Sequence, residues 1–110
     1  MTGVLPNVFL AANHTEQAPF SMDVAGFTFY RVSNKTADIP VFVRANIGVG
    51  GATKGPWVRL RPLGEGMLAY PTGASITQIE AYLPNNPRFI SMATGAVSHA
   101  QSARLEFTTA

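Results

Sequence analysis

The side chains able to do acid–base, metal or nucleophilic chemistry are few and scattered. His14 and His99 lie 85 positions apart, each in a polar stretch, with no His-x-His or His-x-x-x-His spacing. Such spacing is what puts two imidazoles on one metal ion, so both read as solvated loop histidines and no metal site is expected. There is no cysteine, which closes the thiolate, disulfide and cysteine-nucleophile routes. No serine stands in a Gly-x-Ser-x-Gly elbow. A carboxylate pair would have to come from Glu16, Asp23, Asp38, Glu65, Glu80 or Glu106. Glu80 and Glu106 fall on predicted strands, on the face expected to meet solvent, and read as surface carboxylates. "GVGG" at 48–51 has the glycines of a phosphate loop but lacks the Gly-Lys-Ser/Thr end and a following helix, so it reads as a flexible loop. The Asn-x-Thr triplets at Asn13 and Asn34 matter only on a secretory route, and no signal peptide is expected. These residues predict no catalytic site and no cofactor.

One stretch stands apart. "GPWVRLRPLGEG", 55–66, holds the single tryptophan, Trp57, with Arg59 and Arg61. Along a strand, side chains alternate between two faces. Val58 and Leu60 then face a core, and Trp57, Arg59 and Arg61 face away from it. In "IPVFVRAN", 39–46, the same alternation sets Phe42 and Arg44 opposite Val41 and Val43. Aromatic residues and arginine are enriched where proteins bury surface against partners. Trp57, Arg59, Arg61, Arg44 and Phe42 are therefore the candidate interface residues. The bland alternative has Trp57 covering the end of the core and the arginines in solvent.

The composition asks for buried surface independently. Only 13% of residues are charged, against about 25% in typical soluble domains. Net charge is +2 and the pI near 9.4 comes from dispersed residues, not a basic tract. Nucleic-acid binders cluster Lys and Arg on one face, so the balance argues against that class. No stretch is apolar and long enough to span a membrane as a helix.

These side chains need elements to hold them, and the chain reads as one all-β unit. Eight prolines and ten glycines punctuate it, and no helical periodicity appears between them. Strands are predicted at 4–10, 27–33, 39–46, 56–62, 66–70, 75–83, 88–92 and 103–109. Turns are expected at 33–38 (a hairpin), 71–75 and 84–87. Loops are expected at 48–56 and 93–103, the latter with room for a turn of helix. The expected fold is a small antiparallel β-sandwich or compact jelly roll of about seven or eight short strands. Residues 27–110 form that domain. Residues 1–26, with a long irregular segment at 11–26, are read as an N-terminal arm or as an edge strand followed by a loop.

In texture, residues 27–109, and "VRLRPLGEGMLAYPTGASITQIEAYL" in particular, resemble the small β-sandwich virion proteins of tailed bacteriophages. The resemblance implies a non-enzymatic structural subunit, such as a capsid decoration (cement) protein or another head or tail component. Its partners would be the major capsid protein or neighbouring structural subunits, with homo-oligomerisation expected. Its location would be the virion, after assembly in the host cytoplasm. The competing reading is a lectin-like carbohydrate-binding module using Trp57, Tyr70 and Tyr82 as stacking platforms.

Overall fold

Apolar and polar residues alternate over most of the chain, and alternation of period two demands a structure with one buried and one open face per strand. The computed structural model describes residues 3–4, 7–11, 13–24, 26–90, 97–99 and 102–109. It is an antiparallel β-sandwich. Sheet A contains β1 (Gly3–Val4), β2 (Val8–Ala11), β4 (Phe29–Asn34), β8 (Glu65–Ala69) and β12 (Ser102–Thr109). Sheet B contains β3 (Phe20–Asp23), β5 (Val41–Ile47), β6 (Thr53–Lys54), β7 (Val58–Leu60) and β9 (Gln78–Tyr82). A separate ribbon pairs β10 (Asn85–Ile90) with β11 (Val97–His99). A 3-10 turn, η1, spans Val49–Gly51.

The core lies between the sheets. Sheet A contributes Val8, Leu10, Tyr30, Val32, Leu68, Ala103, Leu105 and Phe107; sheet B contributes Val41, Val43, Ala45, Leu60, Ile79 and Ala81. Each comes from the inward half of its strand's alternation, so burying one set forces the other outward. Val41, Val43 and Leu60 face inward as expected, which fixes Phe42, Arg44 and Arg59 on the outer face of sheet B.

Several expectations are corrected. The segment 33–38 is not a hairpin: β4 and β5 lie in different sheets, and the chain crosses between them there. Asn34 shapes that crossing. Its buried side chain donates to the carbonyls of Ile39 (2.7 Å) and Arg61 (3.2 Å) and accepts from the Thr36 N–H (3.1 Å). An amide that satisfies three backbone groups specifies a turn more strongly than local propensity does. The irregular segment 11–26 contains β3, whose Phe20 and Met22 pack on the core while Ser21 and Asp23 face out. No tight turn forms at 84–87. Cross-strand pairing with β11 carries β10 through Pro87, with a register shift between Asn85 and Ile90 of the kind that tolerates a proline. Residues 91–92 of the predicted strand 88–92 lie outside the described residues. So do 93–96 and 100–101 of the predicted loop 93–103, within which β11 forms. The loop 48–56 holds η1 and β6 and is tied down, with the Thr77 hydroxyl donating to the Gly48 carbonyl at 2.6 Å.

Candidate functional site on the outer face of sheet B

Antiparallel register arranges the outward residues of sheet B in three rows. The first runs Tyr82–Phe42–Arg59 across β9, β5 and β7. The second runs Ser21–Glu80–Arg44 across β3, β9 and β5, with Trp57 beyond Arg44. The third runs Asp23–Gln78–Asn46–Lys54 across β3, β9, β5 and β6.

The rings of Phe42 and Tyr82 stack in parallel, with centroids 5.0 Å apart and planes 5° apart. Trp57 meets Tyr82 edge to face at 4.6 Å. The Arg44 guanidinium lies 4.2 Å from the centroid of the Trp57 ring. Such a contact is worth about 1 kcal/mol. Three of the five residues singled out from the sequence, Phe42, Arg44 and Trp57, thus form one aromatic–cation cluster with Tyr82. Arg59 borders it, exposed and opposite Phe42. Arg61 lies past the end of β7. Its carbonyl accepts from Gly64 N–H and Asn34 Nδ2, and its side chain takes no part in the cluster.

Beneath Arg44 sits Glu80, which is only 7% exposed. This corrects the expectation of a surface carboxylate. Its Oε1 receives Arg44 Nε and Nη2, each at 2.9 Å, Asn46 Nδ2 at 2.6 Å and Lys54 Nζ at 3.2 Å. Burial alone would raise its pKa. The hydrogen bonds from Asn46, Lys54 and Arg44, with the Arg44 charge, outweigh that and hold the carboxyl below its ordinary value. Gln78 Oε1 accepts from Asn46 Nδ2 (2.9 Å) and Lys54 Nζ (3.2 Å), extending the network.

Two glycines let the loop close over this end of the sheet. Gly51, at φ 70°, rests against the Gln78 side chain where a Cβ would collide. Gly55 abuts the Ala45 carbonyl just as tightly and donates its N–H to Asn46 Oδ1 at 3.3 Å. The chain is thereby brought close enough to β5 to lay Trp57 beside Arg44. The face grades from exposed (Arg59) to sealed (Asn46, 0% exposed).

No protein-family model, curated protein or solved structure matches this chain. The β-sandwich assignment therefore rests on the strand pairing itself.

The geometry has a definite chemical character. It offers rigid aromatic area, a fixed guanidinium and an ion-paired carboxylate. Among the described residues, no group of three or more His, Asp or Glu converges as metal ligands would. The residues missed in the sequence are Asn46, Gln78, Lys54 and the buried state of Glu80. Alternation in "QIEAY" does place Gln78, Glu80 and Tyr82 on one face. What alternation lacks is the strand that lies alongside.

Proposed function

We propose that this chain is a non-enzymatic structural subunit of a viral particle, a capsid decoration protein or another virion component of the tailed-bacteriophage kind, acting through protein–protein contacts on the outer face of sheet B. The observation that carries the reading is the preassembled Phe42–Tyr82–Trp57–Arg44 cluster. Interfaces concentrate binding energy in aromatic and arginine side chains, and holding them in place beforehand lowers the ordering cost of association. The scarcity of charge over the whole chain supports the same reading. The virion assignment is the finer step and is supported by the resemblance in texture.

The cluster weighs against a carbohydrate platform. A sugar stacks on an open ring face, and here one face of Tyr82 is taken by Phe42 and one of Trp57 by Arg44, which reduces the ring area left for stacking. Tyr70, the third ring of that reading, makes no ring contact with either.

The test is incorporation. The chain is tagged in the genome that encodes it, particles are purified on a density gradient, and the particle band is probed. The wild type should sediment with the particles, and Trp57→Ala should fold yet stay at the top of the gradient. A wild-type chain missing from the particles sinks the virion reading. Normal incorporation of Trp57→Ala removes this face from the contact. Glycan-array binding lost in Trp57→Ala would replace the reading with the lectin-like one.

A further inference from the structure

The rows of sheet B end in opposite charges. At the β3 edge, the third row begins with Asp23, exposed and paired in register with Gln78. The first row has Glu16 beside it. The turn carrying Glu16 is anchored at that end of β9 by the Leu83 N–H donating to the His14 carbonyl at 3.0 Å. The Glu16 charge also adds to burial in raising the Tyr82 pKa. At the opposite edge, the first row ends in Arg59 and the third in Lys54, both exposed. The middle row ends in Ser21 on one side and Trp57 on the other, with no charge at either end.

The two edges match in sign and in the order of their rows. On the acidic side Asp23 is in register with Gln78, and the turn carrying Glu16 lies toward Tyr82 at the other end of β9. On the basic side Phe42 and Asn46 hold Arg59 and Lys54 four residues apart along β5, about 14 Å. The acid–neutral–acid edge is therefore the complement of the base–neutral–base edge of another copy in the same orientation. The edge charges are also poorly offset where they stand. Arg59 and Arg61 have no ion-pair partner among the described residues, and Lys54 shares Glu80 with Arg44. On sheet A, by contrast, Arg31 pairs with Glu65 (3.5 Å) and Arg104 with Glu106 (3.6 Å).

We infer that copies of this chain associate head to tail through the two edges of sheet B, with Arg59 and Lys54 of one copy facing Glu16 and Asp23 of the next. Such a contact is heterologous: each copy uses a different edge toward each neighbour. With the natural twist of a sheet it closes into a ring or continues as a helical row. The inference goes beyond the proposed function, which concerns the open face between these edges.

Charge reversal tests it. One variant carries Arg59→Glu and Arg61→Glu, the other Glu16→Arg and Asp23→Arg. All four side chains are exposed, and none belongs to the Glu80 network. Sedimentation velocity at low salt should show the wild type growing beyond 11.7 kDa with concentration. Each variant alone should associate at least about tenfold more weakly. An equimolar mixture of the two should regain association, because the unaltered Glu16–Asp23 edge of the first variant then meets the unaltered Arg59–Lys54 edge of the second. Should a reversed variant melt early, Arg59→Gln and Glu16→Gln with Asp23→Asn give the same weakening without repulsion. A wild type that stays monomeric to about 1 mM (an affinity weaker than about −4 kcal/mol), variants that associate like the wild type, or a mixture that remains monomeric each overturns the inference. A monomeric wild type that still enters particles leaves the proposed function standing. Self-association without particle entry does the reverse.

Discussion

Arg44 and Glu80 form the hinge of the outer face. Both Nε and Nη2 of Arg44 reach the same Glu80 oxygen at 2.9 Å while the guanidinium covers Trp57. A guanidinium held from one side by a carboxylate and from the other by an indole has little rotational freedom left. Glu80 thereby positions a cation that the exposed side of the cluster presents. Glu80→Gln should keep the fold while loosening Arg44. Trp57 is the single tryptophan, so its fluorescence reports the change directly. A shifted or more readily quenched emission is expected, with a loss of about 1–2 kcal/mol in denaturant unfolding. Unchanged emission would show that Trp57 and Arg44 stay together without the carboxylate.

The same carboxylate makes stability depend on pH. Its folded pKa lies below the ordinary 4.5, so between the two values the unfolded chain binds the proton more readily. Its contribution is complete above that range and is lost as pH falls through the lowered pKa. Wild-type protein should therefore lose stability below pH 4.5 more steeply than Glu80→Gln. Parallel stability curves for the two proteins in acid would contradict the assignment.

Asn34 should be among the costliest polar side chains to remove. Asn34→Ala leaves the Ile39 and Arg61 carbonyls and the Thr36 N–H without their amide partner. A loss of about 3 kcal/mol is expected from such buried, unsatisfied groups. Asn34→Asp keeps the acceptor and loses both donated bonds, so it should recover only part of that. A loss below about 0.5 kcal/mol for Asn34→Ala, the range of ordinary surface substitutions, would show that the crossing from β4 to β5 is held otherwise.

Strand β7 offers a test of which way its residues face. Leu60 is 3% exposed and Arg59 is open to solvent. Leu60→Asp should abolish folding, because an unpaired charge in the core is expensive. Arg59→Glu with Arg61→Glu should leave the melting temperature within a few degrees, as ordinary surface substitutions do. Circular dichroism melts of both variants decide it.

Gly55 should resist enlargement. A methyl group there would collide with the Ala45 carbonyl, a backbone atom that cannot swing aside. Gly55→Ala should cost about 2 kcal/mol, within the range that strained or overpacked positions lose. It should also change Trp57 fluorescence, since the loop's close approach to β5 sets the indole beside Arg44. Retained stability and emission would mean that the approach is not required.

What was legible in the chain followed from local rules. In "VFVRAN" and "WVRLR" the period-two alternation gave the inward residues Val41, Val43 and Leu60. It also put Phe42, Arg44, Trp57 and Arg59 on the other side. What it lacked was the identity of the neighbouring strands. "FSMD" has the same alternation, but its four residues sit in a polar stretch and owe their extended form to pairing with β9. "PNNP" has the residues of a turn, and pairing with β11 overrode them.

The sequence by itself determined an all-β chain, the inner and outer residues of its main strands, and the absence of cysteine. Those properties depend on residue type and on spacing within a strand. Only the tertiary structure decided that β9 lies between β3 and β5. Glu80 is buried under Arg44, Asn46 and Lys54 because of that arrangement, and Asp23 ends up on the opposite edge of sheet B from Arg59 and Lys54. Strand order is set by which faces and edges fit together in the packed sandwich. The groups that meet are 24 to 36 residues apart in the chain, beyond the reach of any local pattern.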